Sequence, residues 1–272
     1  MPVRHEPWTA ARMVERVGRR VVGAIEEIGH CGVLLGESVF WLVAGRRLRQ
    51  PVRLAATFTQ MMEIGVQALP IVAMMAATIG VMLAIQGIHT LKIFGAESQV
   101  VIGISLSVTR EFAPLITGIL VAGRSGSALA ARLGTMQINQ EVDALKVMGI
   151  NPVRFLVVPA LVAMVIMLPC LTIFADLIGL LAAGFYVRFD LGISMAAYVD
   201  QTIDFLSVDD VMHGLSKSAI FSILIAVIGV VNGVGVQGGA EGVGRVTTRA
   251  VVLSISAIVI TDMLFAFVVT RA

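Results

Sequence analysis

Charge is what this chain has least of. Asp, Glu, Lys and Arg together make up 14% of its 272 residues, where a soluble domain of that size carries about a quarter. A water-soluble globule is thereby excluded. Aromatic residues are few, at 6%, and there are only two cysteines, Cys31 and Cys170. Both sit in apolar stretches, so they read as small buried hydrophobes and not as a disulfide framework. No GxxxxGK[ST] loop, no metal-ligand spacing of Cys, His and Asp, and no Ser/His/Asp arrangement occurs. The chain is therefore expected to hold no cofactor or metal and to have no catalytic site of its own. The N-terminus has basic residues but no apolar run before Cys31, so it is not read as a cleaved signal. A net charge of +2 and a pI of about 8.8 are too mild to imply nucleic acid.

What the chain has in abundance is apolar sequence, 57% of residues, with a mean hydropathy of +0.93. The apolar residues come in continuous runs that do not alternate at period two, which excludes an outer-membrane barrel. Five runs are long enough to cross a bilayer, each needing roughly 20 apolar residues. They predict an all-α membrane protein with spans at 64–88, 100–123, 155–187, 215–238 and 250–270. The third is longer than a bilayer needs and contains Pro169, to which no role beyond helix shape is given. Residues 8–48 read differently. Val14, Val17, Val21, Ile25 and Ile28 recur on one helical face, with Arg12, Arg16, Arg19, Arg20, Glu26 and Glu27 around the rest. The stretch at 31–44 is apolar but short, contains Glu37, and is followed by Arg46, Arg47 and Arg49. Residues 8–48 are expected to form an interfacial or re-entrant element; a sixth short span is the alternative.

Lys and Arg fix the expected orientation. With the N-terminus cytoplasmic and five spans, fifteen basic residues fall on the cytoplasmic side and three, Lys92, Arg188 and Arg271, on the other. Arg132 and Lys146 should then be cytoplasmic, and Asp200 and the C-terminal Ala272 external.

The connection between the second and third spans is long for a passive loop. Ile138, Val142, Leu145 and Met148 make one apolar stripe, with Glu141, Asp143 and Lys146 on other faces and Gly149 placed to end the helix before Asn151-Pro152. A short amphipathic helix at 137–149 is predicted. Its stripe rests either on the chain and lipid surface or in a groove of a cytoplasmic partner.

Five charged residues fall inside apolar runs; Asp176 merely interrupts the third, and the other four are candidates for function. Arg110, Glu111 and Asp262 lie near the middle of their spans, and Lys217 lies near the outer end of the fourth, within snorkelling reach of water. A charge at the bilayer centre costs at least about 2.5–3.5 kcal/mol on insertion scales, so such groups are paired or line a wet cavity. Adjacent helical residues point about 100° apart, so Arg110 and Glu111 cannot both face one partner. The two readings are an ion-pair brace, Arg110 with Glu111 or Asp262, and a polar lining of a substrate path. His30, His89 and His213 flank helices and read as interfacial. Gly233 to Gly238 fits GxGxxG but follows no strand, so it is not a dinucleotide site. Gly229 with Gly233, the stripe Ala76, Gly80, Ala84, and Gly179 with Ala183 read as close helix packing.

The run EFAPLITGILVAGRSGSALAARLGTMQINQEVDALKVMG resembles the MlaE/YrbE permease family, over roughly residues 50–270 and most specifically from Glu111 to Pro159. Asp143-Ala144 followed by Gly149 is similar to the EAA-type coupling loop of ABC importers, although Pro159 comes sooner after Gly149 than in that loop. The resemblance implies a permease subunit of an ABC-type phospholipid transporter with no ATPase site of its own. It implies a homodimer in the inner membrane, working with an ATPase subunit that uses the ATP, a periplasmic MCE-domain protein and often a STAS-domain subunit, which some relatives carry fused at the N-terminus. It assigns Arg110, Glu111, Lys217 and Asp262 to the central cavity, and Glu141, Asp143, Ala144, Leu145, Lys146, Met148 and Gly149 to docking on the ATPase. The composition, poor in aromatics and rich in Ala, Gly, Val, Ile and Met, suits an adaptable cavity for acyl chains. An ion-coupled secondary carrier is the alternative, but such carriers carry internal repeats and more helices, and no repeat is found here. A non-transporting scaffold would have no need of the buried charges.

Overall fold

The computed structural model describes residues 8–45 and 53–269, without the side chains of residues 8–14, 16, 17, 20, 21, 24 and 269. Val14, Val17, Val21, Arg12, Arg16 and Arg20 of the expected stripe therefore lie outside the described side chains, and Arg46, Arg47, Arg49 and residues 270–272 lie outside the described residues. The described chain is helical, with no strand: α1 Trp8–Ala44, α2 Leu54–Ile64, α3 Leu69–Ile93, α4 Val100–Ser107, α5 Ala113–Val121, α6 Ser127–Ile138, α7 Glu141–Val147, α8 Val158–Leu191, α9 Met195–Phe205, α10 Val208–Val234 and α11 Gly239–Val269. Among the described residues six stretches are long and apolar enough to cross a membrane: Ile25–Ala44, Leu54–Ile93, Glu97–Ile138, Val153–Leu191, Val208–Val234 and Gly239–Val268. The chain is a multi-pass membrane protein. The last five stretches hold the five expected spans, with shifted ends. The fourth stops at Val234, short of the expected 238, because the chain turns there through Gly238 at φ +91°. The first is the second half of α1, a single 37-residue helix.

Local chemistry explains several breaks. α4, α5 and α6 form one long rod interrupted by π turns at Val108–Phe112 and Ala122–Gly126, and another π turn, Val153–Val157, opens α8. The first and third each end two residues before a proline, Pro114 and Pro159. Proline has no N–H to offer the carbonyl four residues back, so the helix widens for one turn. The expected helix at 137–149 is shorter than predicted. α6 runs through Ile138, Gln140 takes a left-handed conformation at φ 59°, and α7 begins at Glu141. Gly149 closes α7 at φ +71°, with Ile150 N–H donating to the Leu145 carbonyl. α10 opens with a reciprocal cap between Ser207 and Asp210.

α8 is the centre of the bundle, packed against α3, α5 and α10. The small-residue stripes meet as expected. A Cβ at Gly80 would overlap the Gly179 carbonyl, and one at Gly233 would crowd Ala130 and Leu133 of α6. These contacts bring backbones together where lipid offers no hydrophobic drive for association. The hydroxyls of Thr117 and Thr172 lie 3.0 Å apart in the α5–α8 seam. At one end of the bundle lie α7, the α10–α11 turn and the start of α8. At the other lie α9, the end of α8 and the start of α10. We refer to these as the α7 end and the α9 end.

Among the described residues α1 packs mainly against α10, the 153–157 turn and α8. Glu27 accepts from Arg249 at 2.8 Å, Glu37 accepts from Asn151 at 2.8 Å, and the Arg154 guanidinium stands 5.5 Å from the Trp41 ring. Glu27 and Trp41 are separated by roughly 21 Å of helix.

Candidate functional site

Glu111, Lys217 and Asp262 come together between the 108–112 turn, α10 and α11. The Lys217 side chain is fully buried (0% exposed), and its Nζ lies 2.6 Å from Glu111 Oε2 and 3.0 Å from Asp262 Oδ1. Sequence placed Lys217 at an outer end, snorkelling to water. The structure instead makes it the hub of the cluster. Gly214, one turn earlier, is the reason. A Cβ there would overlap the Thr109 carbonyl, so α10 lies against the 108–112 turn and Lys217 meets Glu111 inside the protein. A lysine amine held this way is solvated by carboxylates in place of water.

Arg110 faces elsewhere. Its Nε lies 3.4 Å from Asp210 Oδ1 in the first turn of α10. Neither of its expected partners, Glu111 and Asp262, is the group it pairs with. The two neighbours do point apart, as helical geometry requires, but both reach α10, at positions seven residues apart. The π turn that carries them is the local irregularity that sets these directions. His213, one turn before Lys217, packs edge-on against Phe265 with ring centroids 5.5 Å apart.

The cluster is asymmetric. Lys217 is sealed, and Asp262 is 17% exposed, whereas Glu111 is 40% exposed and Arg110 37%. Lys217, Glu111 and Asp262 together carry one net negative charge, beside the neutral Arg110–Asp210 pair. Lys217 lies roughly 14 Å of helix inside the α9 end of α10, and Asp262 roughly 10 Å inside the end of α11. A charged patch at that depth cannot face lipid tails cheaply.

One more acid, given no role from the sequence, is buried. Asp176 interrupts the apolar run of α8, is buried, and its Oδ1 has no hydrogen-bond partner among the described residues. The signal was present as a charge inside an otherwise apolar run.

The helix at the α7 end presents a face different from the expected one. Val142 and Leu145 are turned into the chain, with Leu145 9% exposed. Val142 and Lys146 border a cavity with Leu133, Leu156 and Val230. Glu141, Asp143, Ala144, Lys146 and Met148 are exposed, and Val147 is 89% exposed. Lys146 donates to Asp143 at 2.9 Å. Of the predicted stripe, then, Val142 and Leu145 anchor the helix to its own chain, and only Met148 and the edge of Ile138 remain outward.

Comparison with known proteins shows the chain's relatives. A family model described as permease MlaE matches residues 57–268. A probable ABC transporter permease of Rickettsia felis is 34% identical over 248 residues, covering 91% of this chain and 94% of the relative. A probable ABC transporter permease of Synechocystis is 36% identical over 230 residues, covering 84% and 85%. The intermembrane phospholipid transport system permease protein MlaE of Haemophilus influenzae is 30% identical over 241 residues, covering 88% and 90%.

Proposed function

This chain belongs to the MlaE permease family, and on that premise we propose that it is the membrane subunit of an ABC-type phospholipid transporter. Two copies enclose the lipid path, and a separate ATPase subunit supplies the energy. The observation that carries the reading is the charged patch at membrane depth. Glu111 and Arg110 reach the surface of a single chain where hydrocarbon would otherwise lie. A second copy facing that surface turns it into the polar wall of an enclosed, wet cavity. In that cavity Arg110 offers positive charge to a passing phosphate, Glu111 and Asp262, held together by the sealed Lys217, offer negative charge to a cationic head group, and lipid moves between the inner membrane and a periplasmic MCE-domain partner. This is the traffic behind outer-membrane lipid asymmetry. A STAS-domain subunit completes the assembly. The chain uses no cofactor; ATP is bound and hydrolysed by the partner.

The exposed face of α7 serves as the ATPase contact, through Glu141, Asp143, Ala144, Lys146 and Met148. Leu145 holds the helix to the permease, and Gly149 ends it. α1 runs along the cytoplasmic interface without crossing. The N-terminus is then cytoplasmic, and the C-terminus periplasmic after five spans.

The test is copurification. Expressed with its neighbours, the chain should isolate as a dimer carrying an ATPase and glycerophospholipid identified by mass spectrometry. A monomer without either would contradict the reading.

A further inference from the structure

A second polar cavity lies far from the Lys217 cluster, at the α7 end of the bundle between α2, α6 and α8. Its volume is about 350 Å³, and its polar lining includes Gln60, Glu63, Gln67, Arg124, Ser125 and Arg132. That is the low end of the range for small-molecule sites, about 300–1,000 Å³. Arg124 projects from the Ala122–Gly126 π turn and donates through Nη2 to Gln67 Oε1 at 2.9 Å. Its Nη1 is buried and has no hydrogen-bond partner among the described residues. Arg132, one helical face along at i+8, is held only loosely, 3.9 Å from Glu63, with both side chains about half exposed. Two guanidinium groups against one carboxylate leave a net positive cavity.

An apolar cavity of about 230 Å³ adjoins it. This one is lined by Ala68, Ile71, Ile119, Leu120 and Val121, and it shares Arg124 and Ser125 with the first. The order along the chain fixes which lies deeper. Arg124 directly follows the apolar run 100–123, and Gln67 sits one turn inside the start of the run 64–88. Ile71 and Ile119 are each about one turn further into those runs. The polar cavity therefore sits at head-group depth and the apolar one beneath it, among the acyl chains. Bidentate donors suit a phosphodiester, and the apolar annex suits the first carbons of a chain.

We propose that these joined cavities bind a glycerophospholipid of the leaflet nearest α7, with its phosphodiester on Arg124 and Arg132 and one acyl chain along Ala68, Ile71, Ile119 and Leu120. The site is separate from the Lys217 cluster, which lies toward the opposite end. It holds whether or not the chain moves lipid. The apolar annex distinguishes a lipid from a free phosphate, which would have no use for it.

The experiment uses the full-length chain, without ATPase or ATP, in nanodiscs containing a phosphatidylglycerol that carries a photoactivatable group near the top of one acyl chain. Cross-linked peptides are mapped by mass spectrometry. Cross-links concentrated on 68–71 and 119–121 are expected. They should fall at least about ten-fold in Arg124→Gln/Arg132→Gln, the factor associated with one lost charge-assisted hydrogen bond, while cross-links on α11 stay unchanged. Arg132→Gln alone, whose half-exposed side chain has only the 3.9 Å contact to lose, should show a fall in the same direction if the double variant does not fold. Ile119→Trp, which fills the annex, should also lower them. Cross-links spread evenly along the lipid-facing helices and unaffected by the arginine variants would overturn the proposal, leaving only bulk lipid. So would signal displaced by inorganic phosphate but indifferent to Ile119→Trp, which describes an anion site with no chain bound.

Discussion

Replacing Lys217 with Met should damage the protein more than replacing either of its acidic partners, and the ordering follows from the geometry. Lys217 is fully buried, with carboxylates 2.6 and 3.0 Å away. Removing the amine leaves both acids without a cation. Breaking a buried pair in this way costs about 3–5 kcal/mol, a large part of a typical total of about 5–15 kcal/mol. Asp262, 17% exposed, bears more of that cost than Glu111, which is 40% exposed and keeps water. Glu111→Gln is different. Lys217 retains Asp262 as a neutral pair and can still donate to the amide, so the expected cost is that of one charged hydrogen bond, about 1.5–3 kcal/mol. Asp262→Asn removes an ion-pair contact whose Oδ1 makes no hydrogen bond, and Lys217 keeps Glu111 as a neutral pair, so its cost should be no larger. The combination Glu111→Gln, Lys217→Met and Asp262→Asn carries no charge at all and should regain much of the stability lost by Lys217→Met alone, because replacing a whole buried ion cluster is often near neutral. The assay is the yield of monodisperse protein after detergent extraction together with its thermal midpoint. A Lys217→Met variant as stable as the parent, or a Glu111→Gln variant less stable than Lys217→Met, would refute the reasoning.

On α7, Val147→Asp should leave the permease folded but stop the ATPase from copurifying, because Val147 faces outward; Leu145→Asp should lower the yield of the permease itself by burying an unpaired charge. Pull-down of the ATPase against permease yield separates the two. Gly80→Val should force α3 away from the Gly179 carbonyl and cost about 1–3 kcal/mol, read as a lower thermal midpoint, whereas Gly87→Ala, with nothing near its Cβ position, should be neutral. Cysteines at Gly18, Arg132 and Lys146 should all react with an impermeant thiol reagent from one side of the membrane, and a cysteine at Asp200 from the other. Labelling of Gly18 from the Asp200 side would make α1 a sixth span.

Long-range order in this fold was legible because the bilayer simplifies the code. Five apolar runs are contained, with shifted ends, in five of the six long apolar helical stretches, and the small-residue stripes lie where helix backbones approach closely. The ends of the helices were harder to read. A proline two residues downstream widens a turn, and the left-handed Gln140 divides α6 from α7, both local effects that periodicity alone does not report. The charged residues were visible as interruptions, yet their pairing was not, since it depends on how closely α10 approaches the 108–112 turn. That approach is set by Gly214, a residue with no side chain to draw notice. The outward face of α7 was misjudged for a related reason. An amphipathic stripe says that a face is buried but not against what, and here Val142 and Leu145 turn into their own chain.

The central claim is that ATP hydrolysed by a partner moves phospholipid past the Glu111–Lys217–Asp262 cluster. It is tested most directly by following a fluorescent glycerophospholipid in vesicles that hold the permease and its ATPase. The account predicts transfer that requires ATP and falls in Glu111→Gln or Asp262→Asn, while dimer yield and ATPase association stay near normal. Undiminished transfer by both variants, or transfer driven by an ion gradient with no ATPase present, would contradict it.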